Sequence, residues 1–303
     1  MSDWNWKEVL SEDKEIKTRP QEFVEQIGEN RRNASRILRK LGVERLPGSI
    51  IGVDHSKRSM DIAIKGQMRD DYLNNCLTEF TKQKKINTLS RFPYNVGELF
   101  VRLYTNEDEI VLDPFAGHNS RMELCYKLNR HYVGWDISEK FMECNEKILK
   151  ILNSQQKICG TEIYVDLITG DSKDMDYKDM FDFCMTSPPY WDTEQYGDEP
   201  GQLPLCESYE AFLKDYYVII QNCYRALKKN KFICWVVGDF RRKGNFVMFH
   251  SDTARLFKKA GFKLWDIVIM NNHETFTRNF PNRFYKVKIF PKTHEYAVVG
   301  KKE

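Results

Sequence analysis

The sequence predicts a doubly wound α/β fold, a sheet of seven strands with helices on its faces, behind an N-terminal extension. Three observations carry that expectation. From about residue 109 onward, short β-rich runs alternate with helical patterns, the order expected when helices cross over between strands of one sheet. The segment "VLDPFAGHNSRMEL" passes from a strand through a glycine-containing turn straight into a helix. Acids also stand at successive strand ends, Asp113, Asp136 and Asp171, on the edge where open α/β sheets hold their ligands.

In chain order, residues 1–86 are polar and charged. They hold a helical stretch, "PQEFVEQIGENRRNASRILRKLG", and two apolar runs, "GSIIGV" and "MDIAIKG", that read as short strands. They form the extension, and residues 87–303 the main domain. Its strands are "EIVLD" (109–113), "HYVGWD" (131–136), "EIYVDLI" (162–168), "FDFCMT" (181–186), "KFICWVVGD" (231–239), "KLWDIVIM" (263–270) and "HEYAVVG" (294–300). Ser138 is placed to open the helix "EKFMECNEKILKIL". Ser208 opens a longer one in which Phe212, Tyr216, Ile219, Ile220 and Cys223 recur at helical spacing. A further helix starts near Ser251 and stops at Gly261, a residue type suited to the left-handed turn after a helix. The last two strands are joined by the basic, aromatic stretch "NNHETFTRNFPNRFYKVKIFPK" and are expected to pair antiparallel.

The composition is that of a globular protein, 41% hydrophobic and 30% charged over 303 residues. No apolar run approaches the roughly 20 residues a membrane helix needs, and "MSDWNWKEVLSEDKE" lacks the layout of a signal peptide. A cytoplasmic protein without membrane contact is expected. The eight cysteines are scattered and never form CxxC, so neither a disulfide framework nor a zinc site is indicated. The histidines are dispersed as well, and no metal is expected. A net charge of +3 is nearly balanced, so local clusters matter more than the total.

An acid at the end of the second strand, Asp136, suits ribose hydroxyls and points to a nucleoside-bearing cofactor. A dinucleotide would call for GxGxxG, whose glycines admit a pyrophosphate to the helix N-terminus. Here Gly117 is followed by His118 and Asn119. Asp113 at the start of the loop would repel a pyrophosphate yet suits an ammonium group. S-adenosylmethionine carries that group and no phosphate, so it fits better than a nicotinamide. Asp171 is placed to accept a hydrogen bond from the adenine amino group.

The fourth strand runs into "TSPPYW" (186–191). Proline fixes φ and removes a backbone donor, so the Ser187 hydroxyl and the Pro188 carbonyl make a stiff pair of acceptors, with Pro189 behind them. Such a pair favours a donor with two hydrogens, the shape of an exocyclic amino group on a base. Tyr190 offers a face for the ring. Stacking on an aromatic is worth about 1–3 kcal/mol, comparable to the cost of swinging a nucleotide out of a duplex.

With "SPPY" and "DPFAGHNSR" in that order, the chain resembles the amino-methylating DNA methyltransferases, which make N4-methylcytosine or N6-methyladenine. The first motif matches their [S/N/D]-P-P-[Y/F/W]. The second matches the first five residues of DPFAGSGTT and then departs. The resemblance covers about residues 90–300 and implies a Rossmann-like, S-adenosylmethionine-dependent methyltransferase sheet. It implies catalytic Ser187, Pro188, Pro189 and Tyr190. It further implies a cofactor loop of Asp113, Pro114, Phe115, Ala116 and Gly117, Asp136 on the ribose, Asp171 near adenine, and "SRFPYNVGELFVRLY" with Phe92 ahead of the loop. Asn119 stands where a second glycine is usual, a position asparagine tolerates through its ease in left-handed backbone angles.

Serine at the first catalytic position is commoner among cytosine-N4 enzymes, which makes N4 of a flipped-out cytosine in double-stranded DNA the favoured target. An N6-adenine DNA or RNA amino-methyltransferase stays open, as does a catalytically inactive nucleic-acid-binding subunit. A partner restriction endonuclease is compatible with the resemblance, and the oligomeric state is not legible. Basic clusters expected at the DNA include Arg31 to Lys40, Lys82 to Lys85, Arg241, Arg242 and Lys243, and Arg278 and Arg283 interleaved with aromatics, with Trp191 beside the corner.

Overall fold

A computed structural model describes residue 40 and residues 48–53, 92–156, 162–192, 199–272, 285–290 and 292–303. The chain divides into two compact units, Met1–Leu46 and Pro47–Glu303, and every described strand belongs to the second.

Eight strands make one sheet: β1 (Ile50–Gly52), β2 (Ile110–Asp113), β3 (His131–Asp136), β4 (Val165–Thr169), β5 (Phe181–Thr186), β6 (Leu227–Val237), β9 (Lys263–Asn271) and β10 (His294–Lys301). Their order across the sheet is β1-β9-β10-β6-β5-β2-β3-β4. Two more, β7 (Phe240–Arg242) and β8 (Asn245–Val247), pair with each other as a hairpin. The helices are α1 (Tyr94–Tyr104), α2 (Ser120–Lys127), α3 (Glu139–Gln156), α4 (Tyr209–Ala226) and α5 (Phe249–Ala260).

All seven expected strands are present. The third starts later than its apolar pattern, at Val165. The run "GSIIGV" supplies an eighth, β1, which lies parallel on the outer edge of β9. Every neighbour pair is parallel except those of β10, which runs antiparallel between β6 and β9. That reversal agrees with the expectation that the last two strands pair antiparallel.

Side chains alternate across the strands as a doubly covered sheet requires. Val111, Phe183, Met185, Cys234, Val236 and Val299 pack with residues of α1, α2 and α3. Leu112, Cys184, Ile233, Trp235, Val237 and Val298 face the other way, onto α4 and α5. Each large side chain fully removed from water contributes about 1.5–3 kcal/mol. Trp235, Phe183, Phe181 and Tyr216 are among those so buried.

Of the three expected caps two form, whereas the Ser138 hydroxyl ahead of α3 is buried with no hydrogen-bond partner among the described residues. The Ser208 hydroxyl accepts the Ala211 N–H at 3.1 Å ahead of α4, and Gly261 ends α5 at φ 109°. The helix expected from Ser251 starts two residues earlier, at Phe249.

What positions the site is the strand order. From β2 the chain steps outward to β3 and β4, whereas β5 and β6 lie on the other side of β2. The β2/β5 pair is therefore the topological switch point, and a crevice opens beyond the carboxyl ends of these two strands.

Candidate active site

At the switch point the last residues of β2 and β5 bond to each other: the Thr186 hydroxyl donates to Asp113 Oδ1 at 2.6 Å. Asp113 was expected to face an ammonium group. Instead its carboxylate is fully buried and already engaged on every side. Arg121 Nε donates to Oδ2 at 2.6 Å, Tyr132 Oη donates to the same oxygen at 2.8 Å, and the Phe115 N–H reaches Oδ1 at 3.2 Å. The Arg121 guanidinium also donates to the carbonyls of Phe115 and Ala116. Asp113 thus lies beneath the cleft and fixes its floor. Gly134 on β3 leaves no slack there, because a Cβ at that position would stand 2.6 Å from the Tyr132 ring and 3.0 Å from Ala116 Cβ.

The loop after β2 is pinned from three further directions. Gly117 turns it with φ +49°, and its N–H donates to Asp136 Oδ2 at 2.7 Å. Its carbonyl accepts from Asn145 Nδ2 at 2.9 Å. The Ser172 hydroxyl donates to the Pro114 carbonyl. Asn119 sits at φ −42°, right-handed helical, so the loop asks no left-handed turn of it. Its amide is buried, and Nδ2 has no hydrogen-bond partner among the described residues.

One continuous cleft is lined by Phe92, Pro114, Phe115, Gly117, Asp136, Asp171 and Ser187 to Tyr190, ten of the residues singled out in the sequence. Asp113, Ala116 and Asn119 lie behind that lining. The wall gains Ile137 ahead of α3 and Phe141 in its first turn, and Gly201, Gln202 and Leu203 from the chain before α4. Gly201 approaches Asp171 so closely that a Cβ there would stand 2.7 Å from Oδ2. Asp136 is half-buried, and burial pushes its carboxyl up to about 6, against the pull of the Ser138 and Gly117 N–H groups. Asp171 caps a short 3₁₀ turn by accepting the Lys173 N–H at 2.9 Å.

The corner after β5 is half-buried at Ser187, Pro189 and Tyr190. The Tyr190 ring stacks on Phe240 at 5.9 Å and 9°, with Phe249 edge-on at 5.7 Å. Its hydroxyl donates to Glu295 Oε1 at 3.1 Å. Tyr190 and Glu295 both line the cleft.

The expected DNA contacts divide. Trp191 is half-buried against Tyr209, its indole N–H on the Cys206 carbonyl at 2.9 Å. Arg242 is tied to Asp192 at 2.6 Å, which fastens the β7–β8 hairpin to the segment following the corner. Arg241 and Lys243 are exposed, Arg241 lying over the Phe246 ring at 5.0 Å. Arg278 and Arg283, with Arg31 to Arg39 and Lys82 to Lys85, fall outside the described residues.

Two residues of this arrangement escaped the sequence reading. Arg121 lies in the first turn of α2, where the helix dipole disfavours a cation. A cation placed there just after an acidic strand end signals a buried pair. Glu295 is the second residue of β10, and because β10 runs antiparallel its N-terminal end reaches the edge where the parallel strands finish. An acid at the start of a reversed last strand is the readable sign.

The chemistry of the lining suits an amine- and hydroxyl-bearing nucleoside. Two carboxylates face the cleft from successive strand ends, apolar side chains stand between them, and its lining cation, Arg121, is committed to Asp113. S-adenosylmethionine matches that donor set, and a pyrophosphate does not. A family model described as DNA methylase matches residues 6–147 and 181–303. The chain is similar to the type II methyltransferase M.PvuII of Proteus hauseri, 28% identical over 34% of this chain and 30% of that one. It is also similar to the orphan methyltransferase M.BamHII of Bacillus amyloliquefaciens, 31% identical over 35% of each. A third relative, the type II methyltransferase M.HindIII of Haemophilus influenzae, is 38% identical over 18% of each chain. The matched stretches span about a third or less of these relatives' own length. Among the described residues no helix is long and apolar enough to cross a membrane.

Proposed function

The chain belongs to the DNA methylase family, and from that premise we propose that it methylates an exocyclic amino group of a base flipped out of double-stranded DNA, N4 of cytosine. The observation that carries the reading is the convergence of the glycine-turn loop and the Ser187–Tyr190 corner on one cleft at the switch point. S-adenosylmethionine supplies the methyl group when bound.

Asp136 holds the ribose hydroxyls, Asp171 the adenine amino group, and Gly117 with Phe92 and Phe115 the remaining walls. Ser187 and the Pro188 carbonyl accept the two hydrogens of the target amino group, and this fixes the direction of its nitrogen lone pair. Such alignment is the larger source of rate, about 7–11 kcal/mol where reactants are well oriented, against about 1.5–3 for one charge-assisted hydrogen bond. Tyr190 offers the base a face already braced from behind by Phe240. Arg241 and Lys243 on the hairpin, with Arg278 and Arg283, meet phosphates and position the duplex without reading it. On the same reading we infer a companion endonuclease and association with the nucleoid.

The test is methyl transfer from labelled S-adenosylmethionine to polymerase-copied DNA, followed by sequencing that detects the modified base. N4-methylcytosine in one sequence context is the expected product. N6-methyladenine would overturn the target, and no transfer to DNA would overturn the function.

The raised Asp136 carboxyl gives a second check. A folded value of about 6 against an ordinary 3.8 means that its contribution to the stability of the ligand-free fold is present below about 4 and lost as pH rises through about 6. Ribose hydroxyls donating to the ionised carboxylate lower that value, so binding should release a proton. Adenosylhomocysteine should bind about tenfold more weakly at pH 5 than at pH 7.5, and Asp136→Asn should flatten the dependence. Calorimetry showing the same affinity at both pH values would remove Asp136 from the ribose site.

A further inference from the structure

Resting on the reading that the corner grips an amino group, we propose that Glu295 is the carboxylate that accepts the proton this group loses on methylation. The exocyclic nitrogen must shed a proton once it has gained a methyl group. Ser187, a neutral hydroxyl, is a weak acceptor for it.

Among the described residues, three carboxylates line the cleft: Asp136, Asp171 and Glu295. Asp136 is held by the N–H groups of Gly117 and Ser138, and Asp171 by the Lys173 N–H and, at 3.4 Å, its ammonium. Both stand on the nucleoside side. Asp113 is buried behind the floor, and Asp239, two residues past β6, is spent on His250 at 2.7 Å.

Glu295 alone among these stands with the corner. Register pairs Tyr296 with Val237, so Glu295 lies opposite the last turn of chain before Asp239. Its Oε1 takes the Tyr190 hydroxyl at 3.1 Å, and Oε2 lies 3.5 Å from Asn272 Nδ2. Among the described residues it has no cation within ion-pair distance. The nearby Lys292 ammonium is turned to the Asp239 carbonyl at 2.8 Å, 5.9 Å from the Tyr190 ring centroid. Gly238 makes room for it, since a Cβ there would lie 2.1 Å from Nζ.

The step balances. The amino lone pair forms the new N–C bond, the electron pair of the broken C–S bond stays on sulfur, and the proton leaving nitrogen passes to Glu295, which later returns it to water. The products are the methylated base, adenosylhomocysteine and a proton.

A carboxylate that merely braced Tyr190 would look the same in the structure but behave differently under substitution. Glu295→Gln keeps an oxygen for the Tyr190 hydroxyl and loses the capacity to take a proton, whereas Tyr190→Phe removes the brace and leaves the carboxylate. Single-turnover transfer to polymerase-copied DNA should fall by at least about a hundredfold in Glu295→Gln, the usual worth of a general base. In Tyr190→Phe it should fall no more than about tenfold, one hydrogen bond's worth. Adenosylhomocysteine should bind both variants as it binds the parent. Equal losses in the two variants, a Glu295→Gln rate within fivefold of the parent, or lost ligand binding in Glu295→Gln would each overturn the proposal. A parent protein inert on DNA would instead sink the proposed function itself.

Discussion

Replacing Arg121 with methionine should destabilise the fold by about 3–5 kcal/mol, the range for breaking a buried ion pair by removing one partner. The guanidinium and Asp113 are both buried, 2.6 Å apart. Without the arginine, the carboxylate keeps the Tyr132 and Thr186 hydroxyls but is left as an uncompensated charge inside the sheet. The Phe115 and Ala116 carbonyls lose their donor at the same time, so the cofactor loop should loosen with the core. The measurement is a denaturant midpoint for Arg121→Met, Asp113→Asn and the double variant. Most of the single-variant loss should be recovered in the double variant, because a neutral pair no longer buries a charge. Additive losses would show that packing of the long side chain, rather than charge, makes Arg121 costly to remove.

That pair also marks where sequence reasoning stops. The strands were legible because each is an apolar run of β-rich residues between turn signals, and burial on both faces demands that composition. "FDFCMT" is buried along its whole length. The caps at Ser208 and Gly261 were legible because their chemistry is local. The cleft itself was largely legible, since strand ends carry the ligand edge and the motifs name those ends. Asp113 was misplaced for a physical reason. Its position at a strand end is visible in the sequence, but whether the carboxylate points into the cleft or under it depends on Arg121, eight residues on, and on Tyr132 in the next strand. The edge pairing of β1 with β9 joins residues more than two hundred positions apart and has no local signature. The hairpin β7–β8 did have one: "KG" at its tip takes left-handed angles, Lys243 at φ 49° and Gly244 at φ 82°, the pattern of a tight two-residue turn. In the sequence, Arg241, Arg242 and Lys243 stand out as a basic cluster, which masks the alternation of the two short strands around them.

Ser187→Ala should lower the rate of methyl transfer by about 10- to 100-fold while leaving adenosylhomocysteine affinity unchanged. The magnitude follows from losing one hydrogen bond to a group that gains positive charge as the reaction proceeds, about 1.5–3 kcal/mol. The affinity should hold because Ser187 belongs to the far end of the cleft. The carboxylates proposed to hold the nucleoside end β3 and follow β4, whereas Ser187 follows β5 and is succeeded by two prolines that fix its backbone. Among the described residues no core hydrogen bond depends on the Ser187 hydroxyl, and the residue lines the cleft, so the variant should fold like the parent. The loss should appear in kcat and kcat/KM together, as expected for a contact that strengthens in the transition state. A change confined to KM would instead make Ser187 a contact for capturing the base. Combined with Glu295→Gln, the variant tests whether the two oxygens act on one nitrogen. If they do, the double loss should be smaller than the product of the single ones, because each variant already spoils the step the other serves.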